Sequence, residues 1–81
     1  MTNFELVQKL EEIREIAAPY FSGAGCIIYD RKNQNEIASF ELWLYKQLDY
    51  DFICSLKTML NAKRVFNTER MKDRYSYRFE F

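Results

Sequence analysis

The stretch RYSYRFEF, residues 74–81, alternates polar and apolar side chains at every position. This period of two predicts a half-buried β-strand, because successive side chains of a strand point to opposite faces. The four aromatic residues of the stretch therefore share one face, which we expect to point into the protein. We expect the remainder of the chain to supply the layer that covers this aromatic face.

Two upstream segments have the spacing of amphipathic helices. Thr2 and Glu5 form a capping-box pattern at the start of the first segment. The proline two residues after Ala17 predicts that this helix ends there, because proline disfavours helical geometry in the residue before it. Asp49 is the predicted N-cap of the second helix, which we expect over residues 50–61.

Two hairpins complete the predicted order α-β-β-α-β-β. The first joins residues 26–29 to a strand that begins at Ile37, after a connection over residues 20–25 whose glycines we expect in conformations that other residues avoid. The second pairs the segment around Phe66 with the final strand, and Phe66 is expected to lie opposite Phe79.

These elements predict one small α+β domain over residues 1–81. A chain of 81 residues is short for a globular domain, and about 60% of its surface is expected to be buried on folding. Two amphipathic helices and a sheet with one apolar face are best satisfied by a two-layer sandwich, with both helices on one face of a four-stranded antiparallel sheet. We assign Phe40 and its neighbours of the same parity to the face that packs on the helices.

The composition argues against catalysis and metal binding. The chain has no histidine, the usual acid–base group near neutral pH, and only two cysteines. We expect both cysteines to be buried free thiols, and we expect no metal, no cofactor and no enzymatic activity. No stretch approaches the ~20 apolar residues of a membrane span, so the prediction is a cytoplasmic protein that does not contact membranes.

The sheet face turned away from the helices is the predicted binding surface. Tryptophan, tyrosine and arginine are the residue types most enriched at binding hot spots. The residues assigned to this face are Ile37, Glu41, Trp43, Tyr45, Val65, Asn67, Arg74 and Arg78. We expect them to contact a partner protein, whereas burial of Trp43 under loops or closure of a homodimer through this face is the alternative.

A second functional class, nucleic-acid binding, follows from the distribution of charge. The net charge is zero, but residues 1–54 carry five basic and nine acidic side chains, and residues 55–81 carry seven basic and three acidic ones. The cations expected to follow a phosphate backbone are Lys63, Arg64, Arg70 and Lys72, with Arg74 and Arg78 beside them. The acidic first helix and the zero net charge place this class second to protein binding.

In general character the chain resembles the small accessory proteins of phages and mobile elements. The likeness rests on its size, on the missing catalytic residue types and on its cytoplasmic composition. Such proteins act by covering a surface on a larger protein or nucleoprotein complex of the host. The resemblance therefore implies an inhibitor or regulator that binds host machinery.

Overall fold

In the computed structural model, which describes residues 1–68 and 75–81, two helices and four strands occur in the predicted order. They are α1 Asn3–Ala17, β1 Phe21–Tyr29, β2 Ile37–Leu44, α2 Tyr50–Leu60, β3 Arg64–Asn67 and β4 Tyr75–Glu80. The described strands form an antiparallel sheet in the order β1-β2-β4-β3, and α1 packs on it. The α+β class is confirmed, and β1 and β3 are the edge strands of this sheet.

Both helices begin at the residues that their capping patterns predict. At α1 the Thr2 hydroxyl accepts from the Glu5 N–H at 3.2 Å, and the Glu5 carboxylate accepts from the Thr2 N–H at 3.2 Å. These hydrogen bonds lower the pKa of Glu5 below its ordinary value. At α2 the Asp49 carboxylate accepts from the Phe52 N–H at 2.8 Å. This helix ends at Leu60, and the left-handed backbone of its C-cap Asn61 (φ 56°) is a common helix stop.

The core lies between the helices and the central strands β2 and β4. Phe40 is fully buried and stacks on Phe79 and Phe81, with ring centroids 5.5 and 6.0 Å apart. Tyr77 is also buried, which confirms that the aromatic face of the last strand points inward, although Tyr75 is 40% exposed at its start. The buried apolar residues are Leu6, Ile13, Ala17, Ile37, Phe40, Leu42, Leu44, Ile53, Leu56, Leu60, Tyr77 and Phe79.

Strand β1 differs from its prediction. It begins at Phe21, so most of the predicted connection over residues 20–25 belongs to the sheet, and no glycine has a positive φ. The left-handed residue is Cys26 (φ 49°), which lies where the pairing register with β2 shifts between Gly25 and Ile28. Such a bulge bends the strand and leaves a residue out of the ladder.

The second half of β1 is an exposed apolar edge. Ile27, Ile28 and Tyr29 are 37%, 55% and 39% exposed.

Cys26 is a free, exposed thiol and Cys54 a free, half-buried one, so the expectation that both thiols are buried is wrong. The bulge accounts for the exposure of Cys26, because it takes this residue out of the regular alternation of faces.

The register of β3 is shifted by one residue from the prediction. Val65, not Phe66, lies opposite Phe79, and Phe66 lies opposite Arg78. Opposite residues of an antiparallel pair share a face, so Val65 and Asn67 are on the helix side and their assignment to the other face is wrong. Because Val65 and Phe66 are adjacent and both apolar, the alternation within β3 does not show which of them faces the core. A shift of one residue in the register moves every side chain of the strand to the opposite face.

Candidate functional site

The sheet face opposite the helices, the helix-free face, contains a buried ion pair. Glu41 on β2 and Arg78 on β4 are paired across the strands and are 1% and 7% exposed. Nη2 of Arg78 donates to Oε2 of Glu41 at 2.7 Å, and its Nη1 donates to Oγ of Ser39 at 2.7 Å. A buried charge is tolerated when it is paired and hydrogen-bonded, and both conditions hold here.

Further hydrogen bonds extend this pair into a network. Oε1 of Glu41 accepts from the Ser76 hydroxyl at 3.0 Å and from Nε1–H of Trp43 at 3.3 Å. The Thr68 hydroxyl donates to that of Ser76. We call the residues joined to the ion pair the polar cluster: Ser39, Glu41, Thr68, Ser76 and Arg78. Its members satisfy one another, which is the condition for a polar network to be stable in a protein interior.

Trp43 and the bulge of β1 cover part of the polar cluster. The Trp43 indole lies on Gly25, where a Cβ atom would be 2.6 Å from Cη2 of the ring. A larger residue at this position would force the indole to shift, so glycine is favoured here for space and not for an unusual backbone conformation. The Cys26 carbonyl at the bulge accepts from Nη2 of Arg78 at 3.3 Å. Within residues 1–68 and 75–81, the strands themselves thus contribute to the burial of this face.

This burial corrects the sequence-based picture of the binding face. Glu41, Trp43 and Arg78 lie on the helix-free face as predicted, but Glu41 and Arg78 are buried in the polar cluster and Trp43 is half-buried, as in the alternative that covers it. Ile37, assigned to the same face, is instead 2% exposed in the hydrophobic core. Tyr45 is 55% exposed as expected. Arg74, Arg70 and Lys72 lie outside the described residues. Whether the described members contact a partner stays a prediction.

A more open surface lies between α2 and β3. We call it the α2–β3 groove, with a volume of ≈260 Å³. Its lining residues are Gln47, Leu48, Tyr50, Ile53, Val65, Phe66, Asn67 and Tyr77. Leu48, Ile53 and Val65 give it a mainly apolar floor, and that floor is continuous with the core. The groove therefore offers apolar surface at the point where the sheet ends.

Two aromatic rings stand at the margin of the groove. Tyr50 is 75% and Phe66 42% exposed. Both also line an adjoining cavity of ≈480 Å³ together with Lys57, Lys63 and Arg64. The two rings are thus shared by an apolar compartment and an adjoining cationic one.

The cations beside the rings differ in their availability. Arg64 forms an ion pair with Glu80 and its guanidinium lies 5.8 Å from the Phe66 ring centroid. Lys57 is half-buried and Lys63 is exposed, and neither forms an ion pair within the described residues. The structure thus brings Lys63 and Arg64 of the predicted nucleic-acid set to the groove and adds Lys57.

Two tyrosines of the groove keep their hydroxyl protons to higher pH than an ordinary tyrosine. Burial, with a smaller contribution from neighbouring Tyr75, raises the pKa of Tyr77. A side-chain hydrogen bond with Cys54 is the largest cause of the raised pKa of Tyr50. Both hydroxyls are therefore neutral near physiological pH.

No cluster of three or more potential metal ligands occurs among residues 1–68 and 75–81. In the same part of the chain, no helix is long and apolar enough to cross a membrane. No family model, curated protein or solved structure matches the chain.

Sequence reasoning missed the roles of Tyr50, Lys57 and Phe66. Tyr50 could have been identified, because it directly follows the N-cap of α2 and is not part of the apolar stripe of that helix. A large ring in this position is expected to remain exposed. No comparable signal identified Phe66, because its face depends on the register of β3. The groove is formed by residues distant in the sequence, and spacing alone does not bring them together.

Proposed function

We propose that this protein is a non-enzymatic protein-binding module that acts as an inhibitor or regulator by covering a surface of a larger protein. The observation that carries the proposal is the α2–β3 groove, where an apolar floor lies beside the exposed rings of Tyr50 and Phe66. An aromatic ring at the margin of an apolar groove loses water on binding and has few rotatable bonds to immobilise. Such rings are typical anchors of protein interfaces.

The charge of the groove suggests which partner it fits. Lys57 and Lys63 are available on its cationic side, whereas its floor presents Leu48 and Val65. A segment with an apolar side chain next to carboxylates would bury the first on the floor and place the second near the lysines. The proposed partner therefore presents an acidic, amphipathic segment, and electrostatic attraction would guide its approach.

The non-enzymatic part of the proposal is supported by composition. The chain lacks histidine, and the Glu41 carboxylate is held by Arg78 and Ser76 rather than directed into a cleft. The two free thiols favour the cytoplasm, where cysteines stay reduced. A cytoplasmic regulator of host machinery is the role consistent with these features.

The test is quantitative capture from a cell lysate followed by titration of the captured protein. Tyr50→Ala and Phe66→Ala should each weaken the partner's affinity by about tenfold or more, the effect of removing a hot-spot ring. Tyr45→Ala is the matched control, because this ring is also exposed but does not line the groove. Equal capture by all three variants and the parent would refute the groove as the binding site. Reduced capture by Tyr45→Ala alone would indicate that the binding site is on the helix-free face.

Single-stranded nucleic acid is a second candidate, favoured by the rings of Tyr50 and Phe66 beside Lys57 and Lys63. Bases stack on exposed rings while lysines neutralise phosphates. A titration with oligo(dT) at several salt concentrations decides between the classes. A log affinity that falls linearly with log salt, with a slope reduced by about one in Lys63→Ala, would support nucleic acid. Absence of binding at physiological salt would exclude this candidate.

A further inference from the structure

Helix α1 presents an unusual outer stripe. Phe4, Val7, Glu11 and Glu15 follow the spacing i, i+3, i+7 and i+11, so they lie on one side of the helix. Phe4 is 72% and Val7 59% exposed, and both glutamates are exposed. The stripe thus has an apolar first half and an acidic second half. Helices that bind in grooves use this spacing.

The α2–β3 groove has the complementary pattern. Its apolar compartment lies at the beginning of α2 near Tyr50, and Lys57 lies two turns further along. Tyr50 and Lys57 are about 10 Å apart along the axis of α2, and Val7 and Glu15 are about 12 Å apart along α1, at 1.5 Å per residue. The apolar half of the α1 stripe can therefore contact the apolar compartment of the groove while its glutamates lie near the lysines.

We propose that the occupant of the α2–β3 groove in the free protein is a second copy of this chain, which inserts the outer stripe of α1. The inference rests on the proposed function, because it uses the same groove. A partner protein then has to displace α1, and self-association limits how much groove is open. The acidic first part and basic second part of the chain are the charge asymmetry that such an interface requires.

A two-fold arrangement satisfies this contact twice. Each copy contributes one stripe and one groove, and closed symmetric dimers are the commonest assemblies of soluble proteins. The groove of each copy receives the glutamates of the other, so every like-charge substitution on one side is felt at both contacts. This doubling makes charge reversal a sensitive test.

Sedimentation velocity of the whole protein and of two double variants provides the test. The parent should form dimers at about 100 μM, a concentration at which a micromolar interface is occupied. Glu11→Lys with Glu15→Lys, and separately Lys57→Glu with Lys63→Glu, should each weaken the dimer by at least about tenfold through like-charge contacts. An equimolar mixture of the two variants should restore dimers, because each stripe then meets a groove of opposite charge.

The control is Arg31→Glu with Lys32→Glu, which changes the charge by the same amount in the exposed turn between β1 and β2. It should leave dimerisation unchanged. A monomeric parent, or two monomeric variants that do not associate when mixed, would overturn the inference. A dimer that all the reversals leave intact would also overturn it, because its interface would then lie elsewhere.

Partner capture separates this inference from the proposed function. The variant with Glu11→Lys and Glu15→Lys keeps the groove intact and should capture more partner than the parent, since nothing competes for the groove. Reversal of Lys57 and Lys63 should reduce capture. If the parent is monomeric but capture depends on Tyr50 and Phe66, the inference fails and the proposed function stands. If dimers form and nothing is captured through the groove, the proposed function fails alone.

Discussion

The helix-free face and the α2–β3 groove use similar residue types in opposite ways. On the helix-free face, Arg78 and Trp43 both donate hydrogen bonds to Glu41. Residue types that are common in binding surfaces are therefore used here for internal contacts. In the groove Tyr50 and Phe66 remain exposed beside an apolar floor. In a chain this short, an open sheet face can be closed by an internal ion pair. Residue type alone therefore does not identify a binding surface.

The largest expected difference between the two regions concerns two phenylalanines. Phe79→Ala empties a fully buried site and should lower the free energy of unfolding by about 3–5 kcal/mol. Phe66→Ala removes an exposed ring and should cost about 1 kcal/mol or less. Urea denaturation of both variants measures the contrast. Similar losses in both would mean that Phe66 is part of the core and that the groove is not an open surface.

A second contrast compares two cations. Arg78→Ala leaves the Glu41 carboxylate buried without its counter-ion and should destabilise the protein by about 3 kcal/mol. Lys63→Ala, at an exposed position, should change stability by about 0.5 kcal/mol or less. Thermal unfolding distinguishes these values. Replacing both members of the pair, with Glu41→Leu and Arg78→Met, should recover most of the loss, whereas a loss equal to or larger than that of Arg78→Ala would contradict this account of the cost.

A smaller effect is expected where Trp43 lies on glycine. Gly25→Ala places a methyl group against the indole and should cost about 1–3 kcal/mol, as overpacking usually does. In the background of Trp43→Leu the same change should cost much less, because the ring is gone and the two effects are coupled. A double-mutant cycle in urea measures the coupling. Simple additivity would show that the ring can move away without cost.

The smallest effect is a pH dependence from Tyr77, which lines the groove. The raised pKa of Tyr77 means that the folded state favours the neutral phenol. Its contribution to stability is complete below the ordinary tyrosine pKa and is lost as pH rises through the folded-state value. Absorbance titration should show two late-ionising tyrosines in the parent, Tyr50 and Tyr77, and one fewer in Tyr77→Phe. If the tyrosine lost in Tyr77→Phe ionises at the ordinary tyrosine pKa, this assignment is contradicted.

The helices, the last strand and the order of the elements could be predicted because their signals are local. Thr2 and Asp49 cap their helices through neighbouring backbone groups, and the alternation around Tyr77 and Phe79 is a property of one strand. The facing of Val65 and Phe66 was not predictable in this way, since either residue can occupy the apolar face. The register depends on contacts with β4 and α2, which no spacing rule within β3 contains.

The candidate site was less predictable because it depends on contacts between distant residues. Glu41 and Arg78 are ordinary surface residues by type, and only their pairing across β2 and β4 explains their burial. The glycine at position 25 had a conformational explanation in the sequence, whereas the structure gives a steric one through Trp43. In each case the residue that explains the burial or the glycine is many positions away in the sequence. Periodicity describes only residues within one element and does not reveal such a contact.

The hydrogen bond from Arg78 to the Cys26 carbonyl also bears on how the protein avoids aggregation. A flat apolar edge strand is a template for the strands of other molecules, and β1 exposes Ile27 and Ile28 at such an edge. The bulge at Cys26 distorts this template, and Arg78 helps to hold the distorted carbonyl in place. The internal ion pair on one face of the sheet therefore also supports the distortion that makes its outer edge a poor template for other strands.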